Sequence, residues 1–94
     1  MKFTEKLLKE IGCCEEGIKK FLNTPDIRNI EFPINSFVTD NCELYNDAKS
    51  AQLYYSEKFK KRLFTTLKYE NGNENYHIKT YNAQGNCIRY EQKS

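Results

Sequence analysis

Residues 63–92 read LFTTLKYENGNENYHIKTYNAQGNCIRYEQ, and this stretch decides the fold. It holds three β-rich runs, at 63–70, 75–82 and 86–92, cut by Asn71-Gly72-Asn73-Glu74 and by Ala83-Gln84-Gly85. Asn and Gly tolerate positive φ, so Asn-Gly and Gly-Asn dipeptides between such runs mark hairpin turns. Leu63, Thr65, Leu67 and Tyr69 alternate onto one face, which Tyr76, Ile78, Ile88 and Tyr90 continue. The reading is a three-stranded antiparallel β-meander over residues 63–92, with one face turned towards helices.

Upstream the periodicity changes. Thr4 can cap a first helix, Phe3 and Leu8 are placed as a hydrophobic staple, and Gly12 ends it. A second helix starts near Cys13 or Cys14, with Glu15 and Glu16 complementing its dipole. Cys14, Ile18, Phe21 and Leu22 recur at the spacing of one buried face, and Asn23 and Pro25 stop it. The two make a helical hairpin over 1–24. Gly17 inside it has two readings, a tolerated cost of about 1 kcal/mol relative to Ala or a close approach of another backbone.

Over residues 26–39, Ile30, Phe32 and Ile34 alternate as in a half-buried strand, which Pro33 restricts to a sheet edge or a bulge. Phe37 and Val38 are expected to anchor this segment to the core. Asp40 and Glu43 have capping-box spacing, and Leu44, Ala48, Ala51, Tyr55 and Phe59 form a helical stripe. They predict a helix over 41–61, although Tyr54, Tyr55 and Phe59 also fit an extended run. The fold expected is a single α+β domain over 1–94, with N-terminal helices packed on the C-terminal three-stranded antiparallel β-meander.

With 94 residues, 38% hydrophobic and 30% charged, and a mean hydropathy of -0.84, the chain is polar for a globular domain. Seven Tyr and six Phe compensate, because each ring can bury a large area. No run approaches the ~20 apolar residues of a membrane span, and Lys9 and Glu10 interrupt any signal-like apolar start after Leu8. The location expected is the cytoplasm of a host cell. Cys13, Cys14, Cys42 and Cys87 show no C-x-x-C spacing, and they read as free, mostly buried thiols rather than as disulfides or metal ligands. The net charge of +2 hides an asymmetry, since residues 1–47 balance at −3 and residues 48–94 at +5.

No catalytic constellation is legible. The serines lie outside any nucleophile-elbow context. His77 is a lone strand histidine whose orienting carboxylate would have to be Glu74 or Glu91. Glu15 and Glu16 are a first-turn pair, and the isolated glycines make no phosphate loop. Lys58, Lys60, Lys61 and Arg62, with Lys68, Lys79 and Arg89, lie near a sheet carrying Tyr69, Tyr76, Tyr81 and Tyr90. Basic groups among aromatics suit single-stranded nucleic acid, and Tyr and Arg equally suit protein recognition. Glu70, Glu74 and Glu91 dilute the patch.

Residues 7–18, LLKEIGCCEEGI, resemble the "LLKEIGACxEG" segment of small uncharacterised phage proteins. Residues 81–91, YNAQGNCIRYE, resemble the "YDxxGNxIxYE" hairpin that such proteins carry, and together the two stretches span about a quarter of the chain. The sequence departs from that pattern at Cys13, where Ala is usual, and at Asn82, where Asp is usual. The resemblance implies a phage or mobile-element origin and no particular chemistry.

The functional expectation is a non-enzymatic accessory protein of phage type, without cofactor or metal, that binds a host protein or ribonucleoprotein complex. Its most concrete form is an anti-CRISPR inhibitor blocking an effector nuclease sterically through Lys58, Lys60, Lys61, Arg62, Tyr69, Tyr76, Tyr81, Arg89 and Tyr90. The alternatives are a single-stranded nucleic-acid-binding protein using the C-terminal sheet and, third, a nuclease built on His77. Whether the chain forms a homodimer is left open by the sequence.

Overall fold

The computed structural model describes residues 1–72 and 75–93. In chain order the elements are α1 (Glu5–Glu10), α2 (Glu15–Leu22), α3 (Pro25–Arg28), β1 (Ile34–Thr39), α4 (Cys42–Phe59), β2 (Phe64–Glu70), β3 (Tyr76–Tyr81) and β4 (Cys87–Lys93). The strands form one mixed sheet in the order β1-β2-β3-β4, with β1 parallel to β2 and the other two pairs antiparallel.

This corrects the expected architecture, because the sheet has four strands and a parallel edge rather than three strands in a meander. The physical reason is non-local. Parallel neighbours need a crossover of a dozen or more residues, and the 18-residue α4 supplies it between β1 and β2. Turn dipeptides announce only hairpin neighbours, so they are silent about β1. Ile30 and Phe32, expected within a strand, precede it. The strand starts just after Pro33, where no ladder hydrogen bond is asked of the proline. Phe37 is 5% exposed and faces the core, whereas Val38, on the opposite pleat, is 58% exposed and anchors nothing.

The helices begin and end for local reasons. Thr4 Oγ1 accepts from Leu7 N at 3.1 Å and caps α1. Gly12, at φ 97, closes α1 with Cys13 N donating to Leu8 O and Gly12 N to Lys9 O, the paired bonds of a Schellman motif. Pro25 ends nothing on its own account: it opens the short α3, where its missing N–H is harmless. The cap of α4 is Asn41 rather than Asp40, its Oδ1 accepting from Leu44 N at 3.0 Å. Lys60 terminates α4 in the left-handed region, at φ 55. Among the described residues no helix is long and apolar enough to cross a membrane.

All four thiols are free, but the expectation that they are mostly buried is corrected: Cys14, Cys42 and Cys87 are exposed and Cys13 is half-buried. Cys14 Sγ accepts from Gly17 N at 3.4 Å, so this residue caps α2 instead of joining its buried face. Burial pushes the Cys13 thiol upward, with Cys14 adding to the effect.

The core lies between the helices and one face of the sheet. Phe3 packs on Phe21 and Phe32 at ring-centroid distances of 5.3 and 4.8 Å, and Phe64 meets Phe37 at 6.1 Å and Tyr81 at 5.7 Å. Tyr45, Ala48, Ala51, Gln52 and Ser56 form the buried stripe of α4. The small Ala side chains let the helix sit close over β1 and β2.

One buried polar side chain joins these pieces. Gln52 is 0% exposed. Its Oε1 accepts from Leu63 N at 2.6 Å, and its Nε2 reaches Lys61 O at 3.4 Å and Gly85 O at 3.5 Å. The β3–β4 turn is itself held by Asn82, whose Oδ1 accepts from Gln84 N and Asn86 N, each at 3.0 Å. At Gly85, φ is +86 and an added Cβ would lie 2.4 Å from Ser56 Cβ and 2.5 Å from Lys61 O. The other expected turn includes Asn73 and Glu74, which lie outside the described residues.

Two outcomes follow for stability. At Gly17 an added Cβ would meet only Cys14 Sγ, at an ordinary 3.6 Å, so close backbone approach is not why it is glycine. Gly17→Ala should therefore stabilise by about 1 kcal/mol, raising the Tm by about 4–8 °C, while Gly85→Ala should destabilise by about 3 kcal/mol through strain and overlap. Gln52→Leu strands three backbone groups at once and should lose at least about 2 kcal/mol in urea unfolding.

Candidate functional site

Pleating divides the residues that the sequence places on one sheet. Directly paired residues share a face, and the register aligns Val38 with Lys68, Lys68 with Ile78 and Ile78 with Glu91. Thr66, Thr80 and Arg89 lie on the same outer face, as do Glu70, Tyr76 and Lys93. Its cations are largely paired: Lys68 Nζ is 3.2 Å from Glu70, and Arg89 is bonded to Glu91. The outer face thus reads as a solvated, nearly neutral surface.

The helix side differs. Tyr69 pairs with His77, and Lys79 with both Leu67 and Tyr90. Because α4 packs on β1 and β2, the inner side of β3 and β4 is only partly covered. A cleft of about 350 Å³ opens there, lined by Cys42, Tyr45, Asn46 and Lys49 of α4 and by Tyr69, His77, Lys79 and Tyr90 of the sheet. The His77 ring lies 5.9 Å from Tyr45, 5.9 Å from Tyr69 and 6.1 Å from Tyr90.

His77 Nδ1 is 2.7 Å from Tyr90 Oη, and Tyr90 Oη donates to Gln92 Oε1 at 3.0 Å. The imidazole and the phenol share this hydrogen bond, and which of them donates follows from the imidazole tautomer. A phenol, not a carboxylate, therefore orients this imidazole. Glu91 lies on the other face, and Glu74 lies outside the described residues. Among the described residues no group of three or more His, Cys, Asp or Glu side chains is arranged to hold a metal ion.

Two lysines set the electrostatics. Lys79 Nζ is 5.2 Å from the Tyr90 ring centroid and Lys49 Nζ is 5.9 Å from that of Tyr45, both within cation–π range. Among the described residues neither lysine has an ion-pair partner, and no Asp or Glu lines the cleft. Below the cleft, Tyr45 is 5% exposed and its hydroxyl finds no hydrogen-bond partner among the described residues. Burial is the main cause that pushes its phenol up to about 12. The arrangement suits an anionic ligand with flat groups.

The other residues singled out from the sequence fall elsewhere. Lys58 is in the last turn of α4, and Lys60, Lys61 and Arg62 follow it. Lys58, Lys60 and Lys61 are exposed, and Arg62 Nη1 donates to Tyr81 O at 3.1 Å. Tyr81 is 5% exposed and belongs to the core, where burial raises its phenol strongly. Tyr76 and Arg89 lie on the outer face. Tyr69 and Tyr90 are thus the two of the nine that line the cleft. Lys49 and Asn46 are missed by the sequence reading because the polar side of a helical stripe carries no sign of what it faces. His77 and Lys79 were legible as strand residues, but their shared inner pleat shows only once the register is known.

The raised phenol of Tyr45 has a measurable sign. Between pH ~10, where an unfolded tyrosine ionises, and pH ~12, the folded state keeps a proton that the unfolded state loses. Stability should fall with rising pH across that window and be unaffected by this group below it. Tyr45→Phe should flatten this slope by Tyr45's share, leaving the share of the likewise raised Tyr81, and, by deleting an unpartnered buried hydroxyl, stabilise the neutral protein by about 1 kcal/mol. Alkaline titration followed by tyrosinate absorbance, alongside thermal unfolding, checks both.

No protein-family model, curated protein or solved structure matches the chain, so a functional reading stands on the chemistry of the site.

Proposed function

We propose that this chain is a small phage-type accessory protein that acts in the host cytoplasm by occupying a partner protein's surface, most concretely an anti-CRISPR inhibitor that blocks an effector nuclease sterically. The observation that carries this reading is the β4 edge. Among the described residues strand β4 has one neighbour, and it displays Ile88 at 62% and Tyr90 at 47% exposure beside Arg89. An uncovered edge offers unpaired backbone groups to an extended partner segment, and neighbouring side chains add selectivity. The register shift at Thr80/Tyr81 and the charges of Arg89, Glu91 and Lys93 guard the same edge against indiscriminate pairing. The partner is accordingly a protein with an extended segment that complements Ile88 and Tyr90. The phage resemblance of residues 7–18 and 81–91 supplies the biological setting.

A second reading, binding of single-stranded nucleic acid, is favoured by the exposed Lys58, Lys60 and Lys61 at the end of α4. Changing Lys60, Lys61 and Arg62 to Glu should then abolish salt-dependent oligonucleotide binding.

The inhibitor reading is tested by expressing the chain with a panel of CRISPR effectors and measuring plasmid interference, with co-purification from the same cells. Interference should be relieved for at least one effector, which co-purifies with the chain. Ile88→Asp, a surface change within about 0.5 kcal/mol of neutral, should abolish both while leaving the fold intact. Unrelieved interference across the panel, or an Ile88→Asp protein as active as the original, overturns it.

A further inference from the structure

Two hollows lie side by side in the groove between α4 and the half of the sheet it leaves uncovered. The first, of about 350 Å³, is walled by the rings of Tyr45, Tyr69, His77 and Tyr90. The second, of about 330 Å³, runs past Leu53, Ser56 and Tyr81 to the β3–β4 turn at Gly85. Lys49 and Lys79 line both, and their ammonium groups lie over the Tyr45 and Tyr90 rings that wall the first hollow. Among the described residues neither hollow is lined by Asp or Glu, and neither lysine is ion-paired.

Each hollow lies near the lower end of the ~300–1,000 Å³ range of small-molecule sites. A complementary ligand has an anionic centre flanked by two ring-sized groups. The aromatic walls of the first hollow ask for a flat one, because rings stack on any π-face. The unpartnered hydroxyl of Tyr45 is a buried donor beside that hollow, the kind of group a base nitrogen or carbonyl satisfies.

We infer that this groove binds a dinucleotide, its phosphodiester between Lys49 and Lys79, one base among Tyr69, His77 and Tyr90 and the other in the neighbouring hollow. Two lysines without carboxylate partners attract one phosphate, and the doubled hollow explains why a single nucleotide would fill only part of the site. The inference does not rest on the partner-binding reading, since Ile88 lines neither hollow.

Calorimetric titration of the whole chain with adenylyl-(3′,5′)-adenosine, compared with AMP, adenosine and inorganic phosphate, tests it. The dinucleotide should bind at least about tenfold more tightly than AMP, and adenosine and phosphate more weakly still. Lys49→Gln combined with Lys79→Gln should weaken dinucleotide binding at least about tenfold, whereas Lys68→Gln, on the outer face, should leave it unchanged. Tyr90→Ala removes an exposed ring without opening the core and should weaken binding on its own. Thermal unfolding identifies any variant that is not folded. No binding at millimolar dinucleotide, or equal affinity in the original and the Lys49/Lys79 variant, overturns the inference. So does tighter binding of a longer oligoadenylate that grows with length and falls steeply with salt, which marks a strand-binding surface. Ile88→Asp should retain dinucleotide affinity, so failure here and failure of the inhibitor reading are separate results.

Discussion

The buried amide of Gln52 is the constraint on which the rest of this structure depends. One side chain serves the N–H of Leu63 and the carbonyls of Lys61 and Gly85. These groups belong to the entry into β2, the link after α4 and the turn between β3 and β4. A buried amide left half-satisfied is costly, and a fully satisfied one specifies a single arrangement. Gly85 completes the joint, since any side chain there would collide with Ser56 and with the Lys61 carbonyl. The C-terminal half of α4 is thereby held at the point where the crossover and the hairpin meet.

The cleft follows from that placement. With α4 fixed over β1 and β2, and with Ala48 and Ala51 allowing close packing, the inner side of β3 and β4 is left for rings and long side chains to cover. Tyr45 reaches down from α4 and Tyr69, His77 and Tyr90 rise from three successive strands. None of these closes the groove, and Tyr90 stays nearly half exposed. One long helix leaves part of the four-stranded sheet open, and the cleft lies on that part.

Charge is sorted by the same geometry. Lys20 takes Glu43 and lies 3.6 Å from Asp47, drawing acids of α4 towards α2. This hydrogen bond to Glu43 is the leading reason the Lys20 ammonium is held above its ordinary range. On the outer sheet face, carboxylates two residues away take Lys68 and Arg89. Lys49 and Lys79 remain over the aromatic groove with rings rather than carboxylates beside them. The acidic and basic halves of the chain were visible in the composition. The partner of Lys20 came from another element, whereas those of Lys68 and Arg89 lie two residues away in the same strand.

What the sequence by itself determined is local. The Thr4 cap, the glycine stop at Gly12, Ala48 and Ala51 in the stripe of α4 and the Ala83-Gln84-Gly85 break before β4 are properties of neighbouring residues, and short-range physics acts on them directly. The structure moved even some of these by a residue, as when Asn41 rather than Asp40 capped α4 and Cys14 became a cap instead of a core residue. The tertiary structure alone decided that residues 34–39 would become a parallel edge, that Val38 would face solvent and that Tyr81 would be buried. It also decided that Lys49 of a helix would line the same hollows as Lys79 of a strand. Each of these depends on contacts between residues far apart in the chain, where register and crossover set the pleat, and no local pattern of residue types encodes which pleat faces which helix.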